Sequence, residues 1–131
     1  MSIVFLNNAY LPMEQAKILF NANNELTEAS SSNVYVVKNG VIATPPLDNQ
    51  LLPGITRLIL LDILAKDSAL KVEQRIVTMD EVNNADEIWL TSASKEVAPV
   101  VELNGKPVGN GEIGDVWQIA QTLYSAGKYN Y

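Results

Sequence analysis

The fold is decided by residues 33–44, which read NVYVVKNGVIAT. Two runs rich in β-branched and aromatic residues flank the dipeptide Asn39-Gly40. An Asn-Gly pair tolerates the two positive φ angles of a two-residue loop, and this is the strongest short-range signal for a β-hairpin. The stretch therefore predicts strands at 33–38 and 41–44 joined by a tight turn.

Helices are predicted on the C-terminal side of this hairpin. After Pro53-Gly54, apolar residues recur at helical spacing, which predicts a helix over 55–67 with a broad apolar face. Residues 78–81 (TMDE) match a capping box, in which the Thr and Glu side chains bind the first free amides of a short helix. A closing helix is predicted over 116–125.

Further strands are predicted on both sides of the long helix, at 3–6, 9–11, 17–21, 72–77, 87–91, 100–103 and 106–108. The last two flank a second Asn-Gly pair, Asn104-Gly105. Because proline has no amide donor, Pro107 predicts a strand at a sheet edge. Hairpins mixed with helices indicate an α+β or mixed α/β fold and not a purely parallel sheet.

Composition excludes several classes of function. A chain of 131 residues with 47% hydrophobic residues suits one compact core. A formal net charge of −6 argues against nucleic-acid binding. The absence of cysteine and histidine excludes disulfides, thiolate metal sites and histidine-based catalysis. No acidic cluster has the spacing of a calcium loop, so no metal is expected. Without a signal-peptide pattern or a membrane-spanning run, a cytoplasmic location is expected.

Three polar segments lie next to predicted element ends, at residues 28–33, 52–57 and 90–94. The second is a helix N terminus, where unpaired amides and the helix dipole favour an anion. Gly54 would admit a ligand close to the backbone, and the Thr56 hydroxyl would reach a phosphate oxygen. Alternatively, Gly54 only turns the chain and Thr56 only caps the helix. Glu28 is either an exposed loop acid or a carboxylate aimed at a protonated ring nitrogen.

Together these segments resemble the signature of the class IV, or fold-type-IV, aminotransferases. The matching residues are Glu28-x-Ser30-x-x-Asn33-Val34-Tyr35, Thr44 and Leu52-x-Gly54-Ile55-Thr56-Arg57, and the resemblance continues through 85–92, 96–100 and 104–109. The D-amino-acid aminotransferase type is the most similar, through residues 28–33. The resemblance implies the C-terminal domain of that fold, an α+β unit with a mixed, partly closed sheet and flanking helices.

The resemblance also implies pyridoxal 5'-phosphate as the cofactor. The residues expected at this cofactor are Glu28, Ser30, Asn33, Leu52, Ile55, Thr56, Ser92 and Ala93. Glu28 would pair with the pyridinium nitrogen and keep it protonated, and Leu52 would pack against the ring. Ile55 and Thr56 would hold the phosphate together with residues 92–93, where the family often has a hydroxyl in place of Ala93.

The chain departs from the family pattern upstream of Glu28. Residues 1–18 resemble the first strands of the whole enzyme and residues 19–131 its C-terminal domain, so a middle region is expected to be missing. The Schiff-base lysine belongs to that region, and no catalytic residue is assigned. None of the lysines stands at its position: Lys17, Lys38, Lys66, Lys71, Lys95, Lys106 and Lys128.

Three hypotheses follow for the function. The chain is a truncated, cofactor-facing domain of a transaminase of D-amino-acid or branched-chain type, which moves amino groups from amino acids to 2-oxo acids, with little or no activity of its own. It is, alternatively, a non-catalytic structural domain that self-associates through uncovered apolar surface. In the third hypothesis a separate chain supplies the lysine. Family members generally act as dimers, so a homodimer or higher self-association is expected.

Overall fold

The computed structural model describes residues 2–3, 5–6, 9–10, 18–29, 32–46, 54–92, 96–103 and 105–131. The strands are β1 (Ser2–Ile3), β2 (Phe5–Leu6), β3 (Ala9–Tyr10), β4 (Ile18–Phe20), β5 (Leu26–Ala29), β6 (Asn33–Lys38), β7 (Val41–Thr44), β8 (Val72–Gln74), β9 (Glu87–Ser92), β10 (Glu96–Val100), β11 (Glu102–Leu103) and β12 (Lys106–Pro107). The helices are α1 (Ile55–Asp67), α2 (Met79–Asn83) and α3 (Asp115–Gly127), and a 3₁₀ turn follows at Lys128–Asn130. Within these ranges, no helix combines the length and the apolar character that a membrane span needs.

A five-stranded mixed sheet holds the chain together, in the order β10-β9-β6-β7-β8. Neighbouring strands run antiparallel except for β7 and β8, which are parallel. The predicted hairpin of β6 and β7 is confirmed, and its loop residues Asn39 and Gly40 have φ angles of 52° and 78°. Smaller sheets have the orders β1-β11-β12, β2-β3 and β4-β5. The mixed sheet with flanking helices confirms the predicted fold.

The two faces of the main sheet bury different partners, because successive strand residues point to opposite sides. Tyr35 and Val37 of β6 join a cluster with the helices α1 and α3, which contribute Leu60, Ile63, Leu64, Ala120 and Tyr124. Val34 and Val36 point to the other face, where Leu26, Val77 and Val82 cover them. Burial of such side chains contributes roughly 1.5–3 kcal/mol each. The long helices therefore lie on one face of the sheet.

Local predictions agree with the structure around both helix starts. Helix α1 has the predicted bounds. The capping box is present, since the Glu81 amide donates to the Thr78 hydroxyl and the Thr78 amide donates to the Glu81 carboxylate. The strand containing Pro107 lies at a sheet edge, as predicted.

Several strand predictions differ from the structure. The strand expected at 100–103 is divided between β10, which ends at Val100, and β11 (Glu102–Leu103). Strand β8 ends at Gln74 and does not reach Val77, because the Val77 carbonyl accepts a hydrogen bond from the Leu26 amide and leaves the main sheet. Strand β5 was not predicted, and Glu28 lies in it and not in a loop. Strand β10 was also missed; it contains Pro99, which its position at the sheet edge accommodates.

The start of helix α3 is set by a carboxylate on strand β9. Glu87 accepts hydrogen bonds from the backbone amides of Val116 (3.1 Å) and Trp117 (2.8 Å) and from the Trp89 indole (3.0 Å). A Cβ at Gly114 would lie 2.0 Å from the Glu87 Cδ atom, so only glycine fits beside this carboxylate. A negative charge at a helix N terminus is favourable, and Glu87 therefore anchors α3 to the sheet.

Candidate functional site

Helix α1 begins without a side-chain cap. Its N-cap residue, Gly54, has φ −90° and ψ 145°, and no described side chain caps the first turn, which contains no acidic residue. The Gly54 carbonyl accepts from the Leu58 amide at 3.2 Å. The amides of residues 55–57 consequently have no acceptor within the helix. Together with the helix dipole, they form a site of positive potential suited to an anion.

Strand β6 passes directly beside this helix start. Asn33, the first residue of β6, is 3% exposed. A Cβ added at Gly54 would lie 2.8 Å from the Asn33 Oδ1 atom. Residue 54 is therefore a glycine because the backbone approaches a buried side chain, although its φ angle is one that any residue can adopt. The first two predicted polar segments meet at this point.

The end of strand β9, the neighbour of β6, also reaches the first turn. The buried Thr56 hydroxyl donates a hydrogen bond to the Ser92 carbonyl oxygen at 3.1 Å. Strand pairing places Asn33 opposite Thr91, the residue before Ser92. The three polar segments therefore converge at one end of the sheet. The Thr56 hydroxyl already donates its proton to the Ser92 carbonyl. The group of Thr56 that is left to donate to an anion at the helix N terminus is therefore its backbone amide.

A buried arginine lies beneath the first turn. Arg57 is 0% exposed, and its guanidinium donates to the Thr44 hydroxyl (Nη1, 3.1 Å) and the Gln74 side-chain oxygen (Nη2, 3.1 Å). The Thr44 hydroxyl donates in turn to the Val34 carbonyl at 2.7 Å. The Arg57 Nε atom is buried and has no hydrogen-bond partner among the described residues. Burial lowers the pKa of Arg57, and the neighbouring Tyr35 opposes this shift.

A buried pair of hydroxyl groups, those of Tyr35 and Thr91, supports the same end of the sheet. The Tyr35 and Thr91 hydroxyl oxygens are 2.9 Å apart, and both residues are almost fully buried. Burial raises the pKa of Tyr35 strongly, while the hydrogen bond with Thr91 and the charge of Arg57 act in the opposite direction. Tyr35 is therefore a neutral, structural phenol that holds β6 to β9.

Four of the predicted cofactor residues have side chains that the structure describes. Asn33, Thr56 and Ser92 converge as outlined above, and the side chain of Ile55 is 75% exposed at the helix start. Glu28 lies in β5, but its side chain is outside the described part of the chain. Ser30, Leu52 and Ala93 also lie outside the described residues.

The buried residues that support the helix start have roles that the sequence pattern did not predict. Arg57 was part of the quoted motif, yet its contacts with Thr44 and Gln74 were not anticipated. One signal was present, because Arg57 follows directly on the glycine and threonine of the helix start, in a helix otherwise rich in apolar residues. Which strands it would reach depends on the order of β6, β7 and β8 in the sheet.

A sequence profile of the family described as Amino-transferase class IV matches residues 13–103, more than half of the chain. The chain belongs to the class IV aminotransferases. Asn33, Gly54, Thr56, Arg57 and Ser92 all lie within the matched range.

Individual relatives show the same kinship. The chain is 44% identical over 91 residues to a D-alanine aminotransferase of Staphylococcus aureus, covering 70% of this chain and 32% of the relative. It is 38% identical over 107 residues to a probable branched-chain-amino-acid aminotransferase of Aquifex aeolicus, covering 82% and 34%. A putative branched-chain amino acid aminotransferase from Thermotoga maritima superposes with a TM-score of 0.81 at 35% identity, covering 87% and 41%. The chain thus spans about a third of the length of the curated relatives that it matches.

The donors at the helix start fit a phosphate group. Three helical amides without helical acceptors converge there, and no acidic side chain lies in the first turn to repel an anion. Because residue 54 is a glycine, no side chain covers the backbone of the helix start next to Asn33. The buried cation of Arg57 adds positive charge in the same turn. These features suit the phosphate of a cofactor better than a neutral ligand.

Proposed function

We propose that this chain is the part of a class IV aminotransferase that binds the phosphate and ring of pyridoxal 5'-phosphate. The single observation that carries the proposal is the convergence of Asn33, Gly54, Thr56 and Ser92 at the uncapped start of α1. The match of the family profile across this whole region supports the assignment of the anion as the cofactor phosphate.

The proposal gives each part of the site a distinct task. The amides of Ile55 and Thr56 bind phosphate oxygens, and residues 92–93 complete the phosphate site. The Glu28 carboxylate accepts a hydrogen bond from the protonated ring nitrogen, and Leu52 packs on the ring. Ser30 and Asn33 lie around these groups. When bound, pyridoxal phosphate supplies an electron-withdrawing ring for amino-group transfer between an amino acid and a 2-oxo acid.

Cofactor binding and transamination are separate parts of the proposal. No lysine of this sequence stands where the resemblance expects the lysine that carries the cofactor. We therefore assign residues 19–131 the role of a C-terminal, cofactor-facing domain, residues 1–18 the role of the enzyme's first strands, and this stretch by itself little or no transaminase activity. D-Amino acids and branched-chain amino acids are the substrate classes that the relatives suggest for the whole enzyme.

The test is a spectral titration of the purified chain with pyridoxal phosphate and, in parallel, with pyridoxal, which lacks the phosphate. We expect weak binding of pyridoxal phosphate that inorganic phosphate competes away, and at least tenfold weaker binding of pyridoxal, since one charged phosphate contact is worth more than 1.4 kcal/mol. Equal affinity for both ligands would contradict a phosphate site at α1.

Borohydride reduction followed by peptide mass mapping tests the part that concerns lysine. We expect no adduct at a single lysine. A reducible adduct on one lysine, lost on Glu28→Gln or Thr56→Val substitution, would show that the chain carries its own reactive lysine and would overturn the assignment of little or no activity.

A second candidate function is a non-catalytic, self-associating domain. Exposed apolar side chains favour it, notably Ile55 (75%) and Leu58 (52%) at the start of α1 and Ile119 (45%) on α3. Light scattering after size exclusion distinguishes the candidates. A concentration-dependent dimer with no affinity for pyridoxal phosphate would support self-association alone, whereas a monomer or dimer that binds the cofactor supports the first proposal.

A further inference from the structure

Arg57 differs from the other described arginine in having no acidic partner among the residues that the structure describes. Arg75 is exposed and forms ion pairs with Glu73 (3.2 Å) and Glu81 (2.7 Å). Arg57 is fully buried, and within the described ranges its guanidinium donates hydrogen bonds only to the neutral side chains of Thr44 and Gln74. A buried cation without an anion is costly to fold around, so its presence requires a compensating role.

The hydrogen bonds of Arg57 tie the first turn of α1 to two strands. Thr44 is the last residue of β7, and Gln74 is the last residue of the parallel neighbour β8. Thr56, the residue before Arg57, binds the end of β9 by donating a hydrogen bond to the Ser92 carbonyl. Two adjacent side chains thus tie the helix start to strands on either side of β6 in the sheet, and together they fix where the amides of residues 55–57 lie.

The charge of Arg57 acts in the same direction as the helix dipole. Side chains in the first turn of a helix point back toward its N terminus. No acidic side chain in that turn neutralises either source of positive potential. An anion bound by the α1 amides would compensate the buried guanidinium as well as the helix dipole.

We propose that Arg57 is a positioning residue for the anion-binding start of helix α1. It clamps the first turn onto the ends of β7 and β8, and its charge, which pairs with no acidic side chain in the described part of the chain, raises the affinity of that turn for phosphate. The inference rests on the proposed function for the identity of the anion, but the clamp itself is a property of the chain without ligand.

The test compares three variants with a matched control. Arg57→Met removes the fork and the charge, Arg57→Lys keeps the charge but loses the two-point geometry, and Thr44→Val removes one acceptor while Arg57 stays. Arg75→Met is the control, because it deletes the same side chain and charge at the surface. Thr44→Val and Arg57→Lys keep the test decisive if Arg57→Met does not fold.

The first readout is amide hydrogen exchange without ligand. We expect protection of the Leu58 and Ile59 amides to fall about tenfold in Arg57→Met and several-fold in Thr44→Val, while the Ile63 and Leu64 amides in the middle of α1 change less. Arg75→Met leaves all of them unchanged. Equal loss along the whole helix would mean that Arg57 contributes only to global stability, and no loss would mean that it does not hold the first turn; either result would overturn the proposal.

The second readout is the affinity for inorganic phosphate, which is measured from the changes of amide chemical shifts during a phosphate titration. We expect about tenfold weaker binding in Arg57→Met, about threefold in Arg57→Lys, and no change in Arg75→Met. Phosphate binding by Arg57→Met that equals that of the unaltered chain would refute the role at the anion site. If the unaltered chain binds neither phosphate nor pyridoxal phosphate, the proposed function fails, and hydrogen exchange alone then supports or overturns the clamp.

Discussion

The Thr56 hydroxyl donates a hydrogen bond to the Ser92 carbonyl oxygen over 3.1 Å, which joins the first turn of helix α1 to the end of strand β9. These residues are far apart in the chain, and this bond brings a helix start and a strand end into one site. Because Thr56 is only 7% exposed, water replaces the bond poorly if it is lost.

Thr56→Val tests this bond with little change in side-chain shape. We expect the free energy of unfolding to fall by about 1–2 kcal/mol, since valine leaves the partly buried Ser92 carbonyl with one partner fewer. Displacement of the helix start should also weaken pyridoxal phosphate binding by about tenfold. Urea denaturation and the cofactor titration measure the two effects.

Thr122→Val is the matched control for this substitution. The Thr122 hydroxyl donates to the Gln118 carbonyl within helix α3 at an exposed position. Its loss should change the free energy of unfolding by less than about 0.5 kcal/mol and leave cofactor affinity unchanged. Similar losses in the two variants would show that Thr56 has no special place in the site.

Gly54→Ala tests the close approach of strand β6 to the helix start. The new methyl group would lie 2.8 Å from the Asn33 Oδ1 atom, and Asn33 is too buried to move aside freely. We expect a loss of about 1–3 kcal/mol in the free energy of unfolding, as for other overpacked sites, and weaker phosphate binding. Thermal unfolding with and without phosphate measures both.

Gly127→Ala serves as its control, since this glycine also has negative φ, at −102°. The added methyl group would meet the flexible end of the Ile63 side chain at 3.1 Å, and alanine favours the helix. We expect a change within about 1 kcal/mol. A Gly54→Ala protein as stable as the Gly127→Ala protein would contradict the steric argument.

Glu87→Gln tests the carboxylate that caps helix α3. Glu87 accepts two backbone amides and the Trp89 indole, whereas the single amide oxygen of glutamine cannot serve all three donors. We expect a loss of about 1–2 kcal/mol in the free energy of unfolding, because a buried donor loses its partner and the helix loses a favourable charge. Glu112→Gln, at an exposed position just before the same helix, should have almost no effect in the same urea titration.

The pH dependence of stability should include a contribution from Asp86. Hydrogen bonding from the Asn39 amide at 2.9 Å, with the nearby Lys38 ammonium, lowers the pKa of Asp86 below its ordinary value. A lowered folded-state pKa stabilises the protein above the unfolded pKa, which is about 3.9, and this stabilisation disappears as the pH falls through the folded value.

We therefore expect the melting temperature of Asp86→Asn to fall below that of the unaltered chain at pH 7. The two melting temperatures should converge below about pH 4, where the native carboxyl becomes neutral as well. Melting curves at a series of pH values measure this difference. A difference that stays constant down to pH 2 would mean that the charge of Asp86 contributes nothing to stability.

Much of the fold could be predicted because it depends on contacts within a few residues. Asn39 and Gly40 tolerate the positive φ angles that their turn needs. Helix α1 follows from apolar periodicity, and the capping box links Thr78 and Glu81, three residues apart. Strand β5, by contrast, has no strong strand-forming run (LTEA) and exists because it pairs with β4. Prediction failed where a strand is defined by its partner.

The candidate site divides along the same line. The sequence by itself indicated a helix start at Gly54 and its resemblance to a phosphate site, because helix termini and motif spacing are local properties. Only the tertiary structure decided that Asn33 and Ser92 reach that helix start, and that Arg57 binds Thr44 and Gln74. These contacts depend on the strand order β10-β9-β6-β7-β8, which is set by the packing of the whole sheet and by no short stretch of sequence.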